Sequence, residues 1–266
     1  MKDTNDLFSL VGKTILVTGA TGYLGKEMVL ALAKARAHVL INSRSDKRCI
    51  EMVDELKGLG YNVEAAVFDV TDKSSIDAFN SSIKLRALDG VIHNAYNGRG
   101  GTVEIASAAD YIESYNISVV AAHNILNVFL PKLREAVKMS GGASFVNISS
   151  MYGLVSPDQR IYEEAVTTNP PFYGAAKAAM LQWTRYVACE FGLEGIRCNS
   201  ITPGPFPSTS VIKANPEFVR VLADKVPLGR VGHPKEITGA IIFLLSNASS
   251  YVNGSNLVVD GGWTAW

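Results

Sequence analysis

Strand-like and helix-like segments alternate along all 266 residues of the chain, and this alternation restricts its fold more than any other feature. Short β-branched or apolar runs stand at residues 14–18 (TILVT), 38–42 (HVLIN), 62–68, 89–94, 143–148, 196–201 and 256–259. Between them, helical spacing of apolar residues marks 23–35, 45–59, 74–83, 107–116, 117–137, 173–191, 216–223 and 234–245. In the first helix the repeating positions are Leu24, Met28, Ala31, Leu32 and Ala35. Gly60 ends the second, and Pro131 stands near the end of the fifth. Strands joined through helices run parallel and are covered on both faces. The expected fold is therefore α/β, a doubly wound parallel sheet of about seven strands with helices on both sides. Crossovers should be right-handed, and a ligand should sit beyond the carboxyl ends of the strands.

No repeat, low-complexity run or Pro/Gly/Ser-rich linker divides the chain, so residues 1–266 are expected to form a single domain. Hydrophobic residues make up 47%, enough for a large core, and the formal net charge is zero. That balance offers no basic surface for nucleic acid or membrane. Met1 to Asp6 carries acids where a signal peptide needs positive charge, and no apolar run is long enough to cross a bilayer. The expected compartment is the cytoplasm. Three cysteines (Cys49, Cys189, Cys198) and four histidines (His38, His93, His123, His233) fall at no zinc spacing. No catalytic metal is expected.

The first strand ends in Thr18-Gly19-Ala20-Thr21-Gly22-Tyr23-Leu24-Gly25. Glycines allow a tight turn and close approach of backbone to a phosphate, and the helix that follows offers free N–H groups and a positive dipole end. A glycine triplet alone is a weak signal; between a first strand and a first helix it indicates a Rossmann-like dinucleotide site. The second strand ends in Ser43-Arg44-Ser45, with no acid until Asp46. A basic residue there suits the 2′-phosphate of NADP, whereas an acid would suit NAD. NADP is therefore the preferred cofactor, with NAD the alternative; Arg44 could instead stack on adenine or face water. Asp69, after the third strand, could accept from the adenine amino group or serve as a helix cap.

Tyr173 and Lys177 stand at i and i+4 on one helix face. A lysine cation beside a phenol favours the phenolate, which lets a tyrosine of ordinary pKa about 10 exchange a proton near neutrality. The pair alone is unspecific, since Tyr-x-x-x-Lys arises by chance on many helices.

Together with its neighbours, the pair resembles the short-chain dehydrogenase/reductases, in their single-domain branch, over nearly the whole chain. Thr18 to Gly25 matches the family's cofactor loop; Asp69-Val70 matches its adenine-contacting acid. Asn94-Ala95 matches the element after the fourth strand, and Pro203-Gly204 the motif that positions the nicotinamide. Val259-Asp260-Gly261-Gly262 matches the C-terminal signature. The resemblance implies a hydride-transferring oxidoreductase with Asn116, Ser150, Tyr173 and Lys177 as catalytic residues. Tyr173 would be the general acid or base, Lys177 would lower its pKa and bind the nicotinamide ribose, Ser150 would hold the substrate oxygen, and Asn116 would hold a relay water. Cofactor contacts are implied for Gly19, Thr21, Gly22, Tyr23, Leu24, Gly25, Ser43, Arg44, Asp69, Val70, Asn94, Ala95, Tyr96, Tyr173, Lys177, Pro203, Gly204 and Phe206.

Three departures stand out. Gly22 and Tyr23 give the loop the Gly-x-x-Gly-x-x-Gly spacing of the larger epimerase-like branch. Tyr96 replaces the glycine that usually follows Asn-Ala. The interval from Ser150 to Tyr173 exceeds the family's usual one, so residues 151–172 are expected to form a flap over the active site. Substrate contacts are sought there and nearby, at Arg99, Ser150, Tyr152 and Arg160. The runs Ser150-Met-Tyr-Gly, Ser156-Pro-Asp, Asn169-Pro-Pro, Pro203-Gly-Pro-Phe-Pro and Gly262-Trp-Thr-Ala-Trp together resemble reductases of bacterial surface-sugar and flagellin-modification pathways, and they are similar to sugar-acid dehydrogenases of the gluconate type. A sugar, sugar phosphate or sugar acid is the expected substrate class. The apolar end, Trp263-Thr264-Ala265-Trp266, would be costly to expose, and a homo-oligomer, tetramer or dimer, is expected. Two other readings use the same fold: a non-catalytic NADP-binding regulator, and a sugar epimerase or dehydratase. The second usually needs a further substrate domain, for which the chain has no room.

Overall fold

A computed structural model describes residues 4–266; Met1 to Asp3, on which part of the leader argument rests, lie outside the described residues. After a short helix α1 (Thr4–Leu7), the chain runs β1 (Thr14–Val17), α2 (Tyr23–Lys34), β2 (His38–Ser43), α3 (Asp46–Gly58), β3 (Val63–Val67), α4 (Lys73–Ser82) and β4 (Gly90–His93). It continues with α5 (Ala108–Tyr115), α6 (Ala121–Ser140), β5 (Ala143–Ile148), α7 (Pro171–Phe191) and β6 (Ile196–Pro203). Helices α8 (Thr209–Ala214), α9 (Pro216–Asp224) and α10 (Thr238–Leu245) precede β7 (Asn256–Val259). The seven strands lie in the order β3-β2-β1-β4-β5-β6-β7, and every pairing is parallel.

Alternation along each strand divides the core into two. Ile15 and Val17 of β1 pack with Met28, Val29 and Leu32 of α2 and with Ile241 and Leu244 of α10. Leu16, between them, faces the other side with Ile125 and Phe129 of α6 and Val187 of α7. All six residues of β5 are buried, Ser144 and Asn147 included, as expected of a central strand covered on both faces. Local signals set the helix ends. Ser45 and Asp72 accept backbone N–H bonds at the starts of α3 and α4, Ser107 and Asp110 form a capping box at α5, and Gly141 in the left-handed region stops α6.

The sequence pattern and the structure differ in three places. The helix expected over 117–137 begins with a π-helical turn, Asn116–Val120, before α6, and α6 continues past Pro131 to Ser140. The helix expected over 234–245 is a 3-10 turn, Pro234–Ile237, followed by α10. Helix α8 has no counterpart in the predicted elements.

Residues 151–172 are not a free loop. They make 3-10 turns at Met151–Gly153, Gln159–Ile161 and Ala165–Thr167 and lead into α7 at Pro171. Met151 and Tyr152 join Leu222, Val226 and Trp263 in a third, smaller cluster. The Asp158 carboxylate binds Lys225 at 2.6 Å, tying the segment to the end of α9. Trp263 is thus buried in its own chain, correcting the idea that both terminal tryptophans need a partner; Trp266 is 80% exposed. Among the described residues no helix is long and apolar enough to cross a membrane.

Candidate active site

The carboxyl ends of the central strands open into a cleft of about 600 Å³. It lies where strand order reverses, between β1 and β4, the position at which open parallel sheets bind ligands. One wall is the glycine loop. Gly19 has φ +60°, and a Cβ there would lie 2.8 Å from the Ala95 Cα, so only glycine fits. Gly25, inside α2, packs too closely against the Gly19 carbonyl for any Cβ and is the one expected loop residue that does not line the cleft. Asn94 holds the loop: its Nδ2 donates to the Thr18 and Gly19 carbonyls at 3.1 and 3.2 Å. The N-cap of α2 is Gly22, which has no side chain to satisfy the first N–H groups. Those groups and the helix dipole are left for an anion, and Thr21, Tyr23 and Leu24 line the cleft beside them.

The next wall comes from the ends of β2 and β3. Ser43 accepts from the Thr21 hydroxyl at 3.4 Å and from the Ser45 N–H at 3.1 Å. Arg44 edges the cleft, and so does Arg48, one turn into α3. No carboxylate pairs with either arginine among the described residues. Asp69 Oδ1 accepts from the Thr71 N–H and hydroxyl at 2.8 and 2.7 Å, and Val70 lines the cleft next to it. Asp69 is thus a turn residue that faces the cleft, and the cap of α4 is Asp72.

The far end gathers Asn116, Ser150, Tyr173 and Lys177. Ser150, after β5, accepts from the Tyr152 N–H at 3.1 Å, which leaves its hydroxyl hydrogen free to donate. Tyr173 and Lys177 are one turn apart near the start of α7, where Pro171 takes the first helical position. The Lys177 side chain is only 3% exposed, and its Nζ donates to the Ile148 carbonyl at 2.7 Å. Asn116 opens the π-helical turn, a deviation that recurs at functional sites. Pro203, Gly204 and Phe206 close this end after β6. Gly204 is required there, because a Cβ would lie 2.5 Å from the Asp260 Cα. Among the described residues no group of three His, Cys, Asp or Glu could hold a metal ion. The bare helix N-terminus, the glycine cradle and the two unpaired arginines fit a phosphorylated dinucleotide.

Comparison with known proteins agrees. The family model described as enoyl-(acyl carrier protein) reductase matches residues 19–264. A tropinone reductase homolog of Arabidopsis thaliana is 34% identical over 98% of this chain and 96% of its own length. The 5-keto-D-gluconate 5-reductase of Escherichia coli is 34% identical over 97% of this chain and 98% of its own. The crystal structure of a gluconate 5-dehydrogenase from Burkholderia cenocepacia, in complex with NADP and tartrate, superposes with TM-score 0.87. It is 26% identical over 99% of this chain and 100% of that one. The chain belongs to the short-chain dehydrogenase/reductase family. It is an oxidoreductase of CH–OH groups, and the regulator and epimerase readings fall away.

For this reductase the structure corrects four expectations. Arg99 is committed to Asp110, bidentate at 3.0 and 2.7 Å, and lies outside the cleft. Arg160 is paired in the same way with Asp158, at 2.8 Å for both bonds, and its side chain is largely exposed. Neither guanidinium is free for a substrate anion. Tyr152 is buried in the third cluster with its hydroxyl 3.1 Å from that of Tyr162, and no residue of 151–172 lines the cleft. The segment is therefore braced on α9 beside the cleft, not folded over it. Lastly, burial outweighs any help from Lys177 at the Tyr173 phenol in the free protein. Burial pushes Tyr173 up to about 12, with the neighbouring Ser150 hydroxyl acting in the opposite direction. Burial also brings Lys177 down to about 7. Its ammonium donates to the Ile148 carbonyl.

Several residues that line the cleft, Arg48, Asn97 and Glu113 among them, are absent from the sequence reading, although the spacing of four between Arg44 and Arg48 was a signal. His93 has no role in that reading either. Fully buried at the end of β4, it has Nε2 3.1 Å from the carbonyls of both Ile117 and Ser118 and Nδ1 3.3 Å from the Thr18 hydroxyl. Burial and the Lys177 charge hold His93 near 4, so the ring is neutral, with Nε2–H donating to the π-helical turn that carries Asn116.

Proposed function

We propose that this reductase moves a hydride between NADP and a carbonyl or secondary alcohol of a polyhydroxy acid or related sugar derivative. One observation carries the reading: Asn116, Ser150, Tyr173 and Lys177 converge on the cleft that the glycine loop opens. The dinucleotide, when bound, supplies the hydride donor or acceptor. The α2 N-terminus with Gly19 and Gly22 takes the pyrophosphate, Asp69 and Val70 flank adenine, and Asn94, Ala95, Pro203, Gly204 and Phe206 border the nicotinamide end. Arg44, with Arg48, meets the 2′-phosphate, which favours NADP over NAD. Solved relatives of the gluconate dehydrogenase type contain NADP.

The chain's own groups do the rest. Ser150 donates its hydroxyl hydrogen to the reacting oxygen and steadies the charge that develops there. Tyr173 gives that oxygen a proton in reduction and takes one in oxidation. Lys177, protonated, binds the ribose hydroxyls and lowers the cost of the phenolate. Asn116, set by the π-helical turn, holds a water behind Lys177 that returns the proton to solvent.

Gluconate-type relatives support a sugar-acid substrate. Synthesis of surface or flagellin sugars is a second setting, resting on the sequence resemblance alone. A homo-oligomer, dimer or tetramer, is part of the proposal: Ile112 is 71% exposed on the α5 face beside Tyr115, and such a surface is stable when covered. Light scattering on a sizing column reads that state.

The test is a panel of keto acids, sugar acids, sugars and sugar phosphates with NADPH, NADH and their oxidised forms, followed at the nicotinamide absorbance band. Turnover by wild type, lost in Tyr173→Phe with cofactor binding intact, supports the reading. Absence of turnover on every carbonyl and alcohol refutes it.

A further inference from the structure

Tyr96 stands where the family has a glycine, and its ring occupies space that glycine would leave empty. The loop after β4 turns the ring toward α7, where it meets the Tyr173 ring edge-on, with centroids 4.8 Å apart and planes at 70°. The Lys177 Nζ lies over the Tyr96 ring, 5.2 Å from its centroid, closer than to the ring of Tyr173 at 5.7 Å. The Tyr96 hydroxyl is 3.1 Å from Ser114 Oγ on α5, and Ser114 in turn donates to the Phe172 carbonyl at the entry to α7. Gly98 lets the loop close over the ring, since a Cβ there would come within 2.8 Å of the Tyr96 hydroxyl.

An ammonium has three N–H donors. Within the described residues the Lys177 ammonium makes one hydrogen bond, to the Ile148 carbonyl. A nearly buried cation with one hydrogen bond needs other negative potential, and an aromatic face provides it. We propose that Tyr96 is a positioning residue of the reacting pair: its ring, pinned through Ser114, takes one side of the Lys177 ammonium and braces the Tyr173 phenol edge-on. The other titratable groups facing Lys177 are Tyr173 on its own helix and His93 at the end of β4, and His93 is neutral. Glu113 on α5 acts on Tyr96. The depressed Lys177 value, near 7, makes the ammonium form sensitive to the loss of any stabilising neighbour at physiological pH.

The consequence for catalysis rests on the roles proposed for Lys177 and Tyr173, but the test needs no substrate. Lysine carrying an isotopic label is incorporated, and the Lys177 side-chain signal is identified by its loss in Lys177→Met. Its protonation midpoint is then titrated by nuclear magnetic resonance in the free protein. Tyr96→Phe keeps the ring and removes the hydroxyl. Tyr96→pentafluorophenylalanine keeps the shape and reverses the charge distribution over the ring face. The fluorinated protein should protonate Lys177 about half a pH unit or more lower than Tyr96→Phe, as expected for a desolvated cation–π contact. Equal midpoints in these two isosteric variants would show that the ring only fills space and would overturn the proposal. Tyr96→Leu, with its melting temperature compared with that of Tyr96→Phe, provides a further check. A Lys177 midpoint lowered in the folded leucine variant supports the cation contact, and a midpoint left in place counts against it. A failed substrate panel would leave all of these outcomes readable.

Discussion

Lys177→Met should make the protein more stable, most of all in acid. Lys177 is buried and sits at about 7, against 10.5 for a free lysine. At about 1.4 kcal/mol per pH unit, that gap corresponds to about 5 kcal/mol of unfavourable charge burial. Methionine has a similar length and no charge, so the substitution removes that cost. It also leaves the Ile148 carbonyl without its donor, at about 1–3 kcal/mol, so a net gain of about 2–4 kcal/mol is expected. The sign follows from proton binding. Below about pH 7 both the folded and the unfolded chain carry the proton, and the full cost is present. Between 7 and 10.5 the unfolded chain binds a proton that the folded one has released, so wild-type stability rises with pH. The advantage of Lys177→Met should therefore be greatest near pH 6 and shrink steadily above pH 7. Urea unfolding of both proteins at several pH values between these limits measures it. A stability difference that does not change with pH would refute the reasoning, whatever its size. Turnover should be lost throughout, placing this residue among those kept for activity at the expense of stability.

Three further outcomes are expected. Replacing Arg44 and Arg48 together by alanine should weaken NADPH about 10-fold to 100-fold, the loss of one or two charge-assisted contacts, and leave NADH nearly unchanged; titration calorimetry with both cofactors decides it, and equal losses would place the arginines elsewhere. Gly19→Ala, forced to a left-handed φ and against Ala95, should abolish measurable cofactor binding and lower the melting temperature. His93 is held near 4 against an ordinary 6.5, so the stability of its neutral ring is present above 6.5 and lost as pH falls toward 4. Wild type should lose about 2–3 kcal/mol between pH 7 and pH 4.5 through this group alone, and His93→Asn should lack that part of the slope; identical slopes would show that other groups govern the acid limb.

What could be read from the sequence depended on how local its cause was. The strands were legible because burial on both faces leaves a short apolar run, as in β2, where Val39, Leu40 and Ile41 are buried in succession. The glycine loop was legible because positive φ and close contact at Gly19 admit one residue type. The π-helical turn at Asn116 was not, since Ile117, Val119 and Val120 fit an ordinary helical pattern. Its backbone is held from outside by His93, more than twenty residues earlier in the chain. Arg99 looked available for a substrate because its partner, Asp110, is eleven residues away and doubles as the capping residue of α5. The partner of Arg160 was only two residues upstream, at Asp158, and could have been noticed. The protonation of Tyr173 lay beyond any motif, because spacing brings a lysine near a phenol without saying how deeply both are buried or where the ammonium points.

The small cluster of Met151, Tyr152, Leu222, Val226 and Trp263 is separate from the two that cover the sheet. Tyr173 packs against that cluster, so changes there act on the reacting end more directly than on the packing that covers the strands. Reshaping this cluster therefore alters the surroundings of Tyr173 while sparing the two clusters that cover the sheet. The same independence gives the protein engineer a bounded target, a handful of side chains whose shapes can be varied in a library without expecting most members to unfold.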